Sequence, residues 1–300
     1  MSKSSATDAK APSGGTSASE IKAAAEAAKV VVDTYYNILD RVAPLKEFKE
    51  LAERMEAERD LYSKETSKYI GDATAAIFNA NILYDKAVGP VLEWCKYAIG
   101  LLDAIKIRGS LMDKTTATLF LKVCDEGTKQ IAESLAYLDS AEEELRNTGA
   151  SLIKIQAQLE IDCDSKSPFF DMLIKQQRTQ SYASATVGLL LGPLGLIVAE
   201  GIAAGVTEAS LVPNLQKQLE GLKNTYKDLR QKCAGSLGEL TADVKKVTGA
   251  QTDMRNLRGG IGSAKVIILI NPEDEHMVTL AFGMLLDSCT KYCNLYDHHK

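Results

Sequence analysis

A chain of 300 residues can hold one large domain or two, and its 45% hydrophobic and 25% charged content suits a folded, water-soluble protein with a substantial core. A formal net charge of −5, with no basic stripe or tail, excludes a mainly electrostatic nucleic-acid binder and gives no general attraction for anionic lipid. With 3 histidines, 6 cysteines lacking CxxC spacing, and no P-loop, HExxH, GxSxG or kinase motif, neither metal, cofactor nor catalysis is expected.

Residues 1–18 are rich in Ser, Ala, Gly, Thr and Lys; they read as a disordered tail without the apolar stretch of a secretory signal. Ser19 then reads as an N-cap. From there Ile21, Ala24, Ala25, Ala28, Val31, Val32, Tyr35, Leu39 and Val42 recur at three- and four-residue steps. Lys22, Glu26, Lys29, Asp33, Asn37 and Asp40 take the opposite face. An amphipathic helix over residues 19–43 is expected, roughly 36 Å long against a bilayer core of about 30 Å. It is too polar to span lipid alone, and packing in a bundle is the default use of such a stripe.

Pro44 marks a bend, and a charged helical stretch over residues 45–106 follows, with a kink or short break expected at Gly89-Pro90. Another pattern covers residues 111–181, with an apolar stripe from Leu119 and Val123 through Leu145 to Leu159, and Pro168 should bend it. The last long pattern, residues 211–257, carries Leu215, Leu222, Tyr226, Leu229, Leu240 and Val247. Glu142, Glu143 and Glu144 read as a solvated helix face. These lengths predict a mainly α fold, an elongated bundle of long helices formed by residues 19–182 and 207–300.

Residues 183–206 break the pattern. No charge occurs over residues 183–199, and Gly192-Pro193 divides the run into arms of strand length, 186–191 and 194–199. This predicts a short apolar β-hairpin, since the run is short for a transmembrane helix and carries a turn signal at its centre. A buried core hairpin, a re-entrant anchor, and a tongue that enters lipid on demand all stay open. A mean hydropathy of −0.10 counts against permanent embedding. Val187, Leu189, Leu190, Leu191, Leu194, Leu196, Ile197 and Val198 would favour lipid by roughly 10–20 kcal/mol as an upper bound. Hairpin edges cannot stay unpaired in hydrocarbon, so insertion requires a new local fold or neighbouring chains.

Six segments point to a family. Tyr69-Ile-Gly-Asp72, Leu92-Glu-Trp-Cys95, Leu121-Lys-Val-Cys-Asp-Glu-Gly127, Gly192-Pro-Leu-Gly-Leu-Ile197, Ile202-Ala-Ala-Gly-Val206 and Leu211-Val-Pro-Asn-Leu215 occur in this order. Over residues 35–292 the chain resembles the cytolysin A, or haemolysin E, family of bacterial α-pore-forming toxins. The resemblance implies a pore-forming cytolysin whose head carries a β-tongue over residues 183–206, with Gly192 and Pro193 at its turn. It also implies that helix 19–43, bearing Ile21, Ala24, Ala28, Val31, Val32, Tyr35, Leu39 and Val42, swings out to line a ring-shaped pore. The implied partners are target-cell membrane lipid, with sterol as one candidate, and further copies of the chain; the implied route is secretion without a classical signal.

By resemblance, Cys95 and Cys289 fall at the family's disulfide pair, and Cys293, one helical turn beyond Cys289, would compete for Cys95. Free buried thiols are the alternative. Cys124, Cys163 and Cys233 read as small core residues. Glu200, on the returning arm, departs from the family pattern, and residues 265–271 read as a strand-like connector before the last helix. Two other functions stay open: a membrane-binding component of a multi-protein α-pore toxin, or a helical scaffold that docks a partner through the hairpin.

Overall fold

The computed structural model describes residues 18–40, 42–108, 114–180, 208–261 and 272–299. Among them the secondary structure is helical, and no strand occurs. The helices are α1 (Ala18–Asp40), α2 (Val42–Glu58), α3 (Lys64–Arg108), α4 (Lys114–Asp162), α5 (Pro168–Gln180), α6 (Glu208–Ile261) and α7 (Pro272–His299). They pack as a bundle of long helices, and the predicted stripes supply the core: Val123, Leu145, Leu159, Leu222, Tyr226 and Leu240 are all buried. The predicted hairpin and the connector at 265–271 lie outside the described residues.

Several predicted boundaries move, and each shift has a local cause. The first helix begins at Ala18, so Ser19 lies in its first turn and is not the N-cap, and it ends at Asp40, so Val42 belongs to α2. Pro44 is the third residue of α2. The first turn of a helix needs no N–H there, so Pro44 starts a helix and does not bend one. The expected stretch from 45 to 106 is two helices, separated by a 3-10 turn at Arg59–Leu61.

Gly89-Pro90 does not break α3, which runs unbroken through it. Pro90 offers no N–H to the carbonyl four residues back. Two residues before it, the Val88 carbonyl accepts a hydrogen bond of 2.9 Å from the buried Tyr292 hydroxyl on α7. A partner from another helix therefore serves the backbone beside the proline.

The predicted helix over residues 111–181 stops at Asp162, and Pro168 restarts the chain as the first residue of α5. Ser167 caps that restart: its Oγ accepts from the Phe170 N–H at 3.0 Å and donates to the Asp162 carbonyl at 2.8 Å. Ser167→Ala should destabilise this corner by about 1 kcal/mol in urea denaturation. A change below about 0.3 kcal/mol would mean that the cap is dispensable.

The chain divides into two compact units. One contains residues up to Leu39, Val88–Ser134 and Lys245–Lys300; the other contains Asp40–Ala87 and Leu135–Val244. In the first unit Phe120 and Phe282 stack at 4.5 Å between ring centroids, and Gln251 donates to the Thr128 carbonyl at 2.8 Å. Trp94, fully buried on α3, donates its Nε1–H to the Val123 carbonyl on α4 at 2.9 Å.

In the second unit Asp162 is buried at the end of α4. Its carboxylate accepts from Ser63 Oγ at 2.6 Å, Thr66 Oγ1 at 2.8 Å and Gln158 Nε2 at 3.1 Å. These three donors replace the water the carboxylate loses and tie the start of α3 to the end of α4. Glu142 is likewise buried, so the acidic trio is not wholly solvated. Its carboxylate pairs with Arg146 and accepts from Thr241 Oγ1 at 2.7 Å, whereas Glu143 remains exposed.

Candidate functional site

Helix α1 carries the residues expected of the mobile helix. Ile21, Ala24, Ala28, Val31, Val32, Tyr35 and Leu39 are all buried in the first unit. The opposite face carries ion pairs between Lys22 and Glu26 at 3.7 Å and between Lys29 and Asp33. The buried face is wider than the three-and-four pattern, because Ala27, Thr34 and Ile38 join it. Thr34 can be buried because its hydroxyl donates to the Val30 carbonyl at 2.7 Å, one turn back.

Tyr35 anchors the helix with a polar contact inside the core. Its hydroxyl oxygen accepts from Ser134 Oγ on α4 at 2.6 Å, with both groups buried. Tyr35→Phe should lower stability by about 1 kcal/mol, read in urea denaturation. A neutral substitution would show that α1 is held by apolar packing alone.

Residues 183–206, with Val187, Leu189, Leu190, Leu191, Gly192, Pro193, Leu194, Leu196, Ile197 and Val198, lie outside the described residues. The described helices before and after this segment are α5, ending at Gln180, and α6, starting at Glu208. No helix among the described residues is long and apolar enough to cross a membrane. Among the same residues no group of His, Cys, Asp or Glu side chains is arranged to hold a metal ion.

The cysteines separate into a cluster and three scattered thiols. Cys95 on α3 and Cys289 on α7 are fully buried free thiols, and Cys95 lies beside both Cys289 and Cys293. Burial, reinforced by those two thiols, pushes Cys95 well above the usual thiol range. Cys293 is only partly covered and shifts the other way, chiefly through the hydrogen bond from Cys95, with the Lys96 cation helping and partial burial opposing. Cys124 and Cys233 are core residues as expected, Cys233 donating to the Leu145 carbonyl at 3.3 Å. Cys163 is not: it lies partly exposed in the turn after α4, with burial of the thiol pushing its pKa up to about 12.

Sequence reasoning missed the seat of the only tryptophan. Gly127 lies one turn beyond Val123, and a Cβ there would come within 2.5–2.7 Å of the Trp94 indole. A glycine within a long apolar helical pattern is the one sequence signal that marks such a close approach.

Comparison with known proteins covers most of these elements together. A haemolysin E family profile matches residues 15–288, from before α1 to within α7. Hemolysin E of Salmonella typhi is 30% identical over 213 residues, 70% of each chain. The chromosomal hemolysin E of Escherichia coli strain K12 is 28% identical over 283 residues, 91% of each chain. Among solved structures, the Bacillus cereus HblL1 toxin component aligns over 92% of this chain and 93% of its own, at 14% identity and a TM-score of 0.39, a likeness too weak to inform the fold. The match of a single family profile over residues 15–288 places this chain in the haemolysin E family of pore-forming toxins.

Proposed function

We propose that the chain is a pore-forming cytolysin that inserts the apolar segment 183–206 into a target membrane, releases α1, and assembles with further copies into a ring. The observation that carries this reading is the family match over residues 15–288, which takes in both α1 and the apolar segment. In this reading Val187, Leu189 to Leu191, Leu194 and Leu196 to Val198 enter lipid around the Gly192-Pro193 turn. Glu200 then falls on the returning arm, where a carboxylate resists deep burial.

Energetics support a conditional helix. Ile21, Val31, Val32, Tyr35, Ile38 and Leu39 are buried, and at about 1.5–3 kcal/mol each they would oppose release of α1 by roughly 9–18 kcal/mol, an upper bound. Lipid contact or neighbouring helices must supply an offset of similar size. The small face of Ala24, Ala25 and Ala28 suits close helix contact in a ring. A Cys95–Cys289 disulfide would restrain this rearrangement by joining α3 to α7. The target is membrane lipid, with sterol as one candidate, reached after secretion.

The test is dye release from cholesterol-containing liposomes by the purified chain, with negative-stain imaging of the same samples. Leakage with rings is expected. Binding without leakage would assign the chain to a multi-protein toxin, and neither binding nor leakage would favour a scaffold. Omitting cholesterol tests the sterol contribution separately.

A further inference from the structure

Three thiols meet on two helices of the first unit. Cys289 and Cys293 stand one turn apart on α7, and the Cys95 thiol of α3 lies beside both. Cys95 and Cys289 are fully buried, whereas Cys293 is partly open to solvent. A dissolved oxidant or reductant therefore has no direct access to the two buried sulfurs. Oxidising them requires local unfolding or a relay through the third.

We propose that Cys293 is the exchange thiol of this cluster, the sulfur through which a low-molecular-weight disulfide oxidises Cys95 and a low-molecular-weight thiol reduces it. With oxidised glutathione, the Cys293 thiolate attacks one sulfur, forms a mixed disulfide, and releases one glutathione thiolate. The Cys95 sulfur then attacks Cys293 Sγ; the Cys95–Cys293 bond forms, and the second glutathione leaves with the Cys95 proton. Two protein thiols are oxidised, and one glutathione disulfide becomes two glutathione molecules. Attack of Cys289 on Cys95 Sγ moves the bond to Cys95–Cys289 and hands the Cys289 proton to the departing Cys293, with no further oxidant. Reduction runs the same steps backwards.

The surroundings favour this direction of attack. The Cys95 hydrogen bond and Lys96 stabilise negative charge on Cys293, against partial burial, Asp297 and Glu93. Thiolate fraction and access together set the rate of thiol–disulfide exchange. Cys163 provides an internal control, because it is also partly exposed but its pKa is raised to about 12. Exposure alone would make both thiols react; the relay requires Cys293 to react first. This chemistry does not depend on whether the chain forms pores.

The test uses the reduced full-length chain and oxidised glutathione, with timed acid quenching, alkylation and peptide mass mapping. The first glutathione adduct is expected on Cys293, followed by Cys95–Cys293 and then Cys95–Cys289, while Cys163 stays unmodified over the same interval. Cys293→Ser, with Cys293→Ala as its second form, should slow Cys95 oxidation at least about tenfold. Cys289→Ser should leave Cys95–Cys293 formation at the wild-type rate. A first adduct on Cys163 or Cys95, or wild-type oxidation rates in both Cys293 variants, overturns the proposal. Urea denaturation of each reduced variant separates a lost relay from a loosened helix.

Discussion

Replacing Leu190 by Asp should reduce liposome leakage at least about a thousandfold while leaving the helical bundle folded. Placing a carboxylate in hydrocarbon opposes insertion by about 2.5–3.5 kcal/mol on insertion scales. Loss of the leucine removes about 1.5–3 kcal/mol of favourable apolar burial. Their sum, about 4–6.5 kcal/mol per chain, corresponds to about three to four and a half powers of ten in the insertion equilibrium. If assembly needs several inserted copies, the penalty repeats in each of them. Leu190→Met, apolar and close in volume, should retain nearly full leakage. Far-UV circular dichroism and thermal unfolding of both variants separate failure to insert from failure to fold. Normal lysis by a folded Leu190→Asp chain would remove the segment around Gly192-Pro193 from the membrane-entering role.

The helical fold was legible because long amphipathic stripes obey one period, and so was the inward face of α1 from Ile21 to Leu39. What the sequence could not locate were contacts between residues far apart in the chain. Asp162 ends α4 as a buried acceptor because Ser63 and Thr66, 99 and 96 positions away, donate to it. Glu142 looked solvated within an acidic trio, but its partner Thr241 stands 99 positions further on. The local rule for proline predicts bends at Pro44, Pro90 and Pro168. Pro44 and Pro168 instead stand in first turns, while Pro90 lies beside a backbone carbonyl served by Tyr292.

The candidate site was legible to a different extent. Periodicity gives the apolar stripe of α1 but not the burial of Ala27, Thr34 and Ile38, which depends on what packs beside them. A spacing of four residues puts Cys289 and Cys293 on one helix face. Together with the resemblance, that spacing makes Cys293 a competitor of Cys289 for Cys95, but it does not say that Cys95 and Cys289 are buried while Cys293 is partly open to solvent. The proposed membrane-entering role of residues 183–206 rests on the absence of charge over residues 183–199 and on the family.

Trp94→Ala should destabilise the first unit by about 3–5 kcal/mol, and Gly127→Ala by about 1–3 kcal/mol. The indole is fully buried, and its Nε1–H shares the Val123 carbonyl that lies one turn before Gly127. A methyl group at Gly127 would lie 2.5–2.7 Å from Cε2, Nε1 and Cζ2 of that ring, so either the ring or the helix must move. In an ordinary helix interior the same Gly→Ala change stabilises by about 1 kcal/mol. The steric clash therefore has to exceed that gain in the wild-type background. Once Trp94→Ala has removed the ring, only the helix-propensity gain remains. Gly127→Ala should then become stabilising by up to about 1 kcal/mol, a change of sign with coupling of about 2–4 kcal/mol. A double-mutant cycle in urea, followed by circular dichroism because the tryptophan is lost, reads this reversal directly. If Gly127→Ala has the same sign in both backgrounds, Gly127 is not the seat of the indole, and the α3–α4 contact must be held by the surrounding apolar residues.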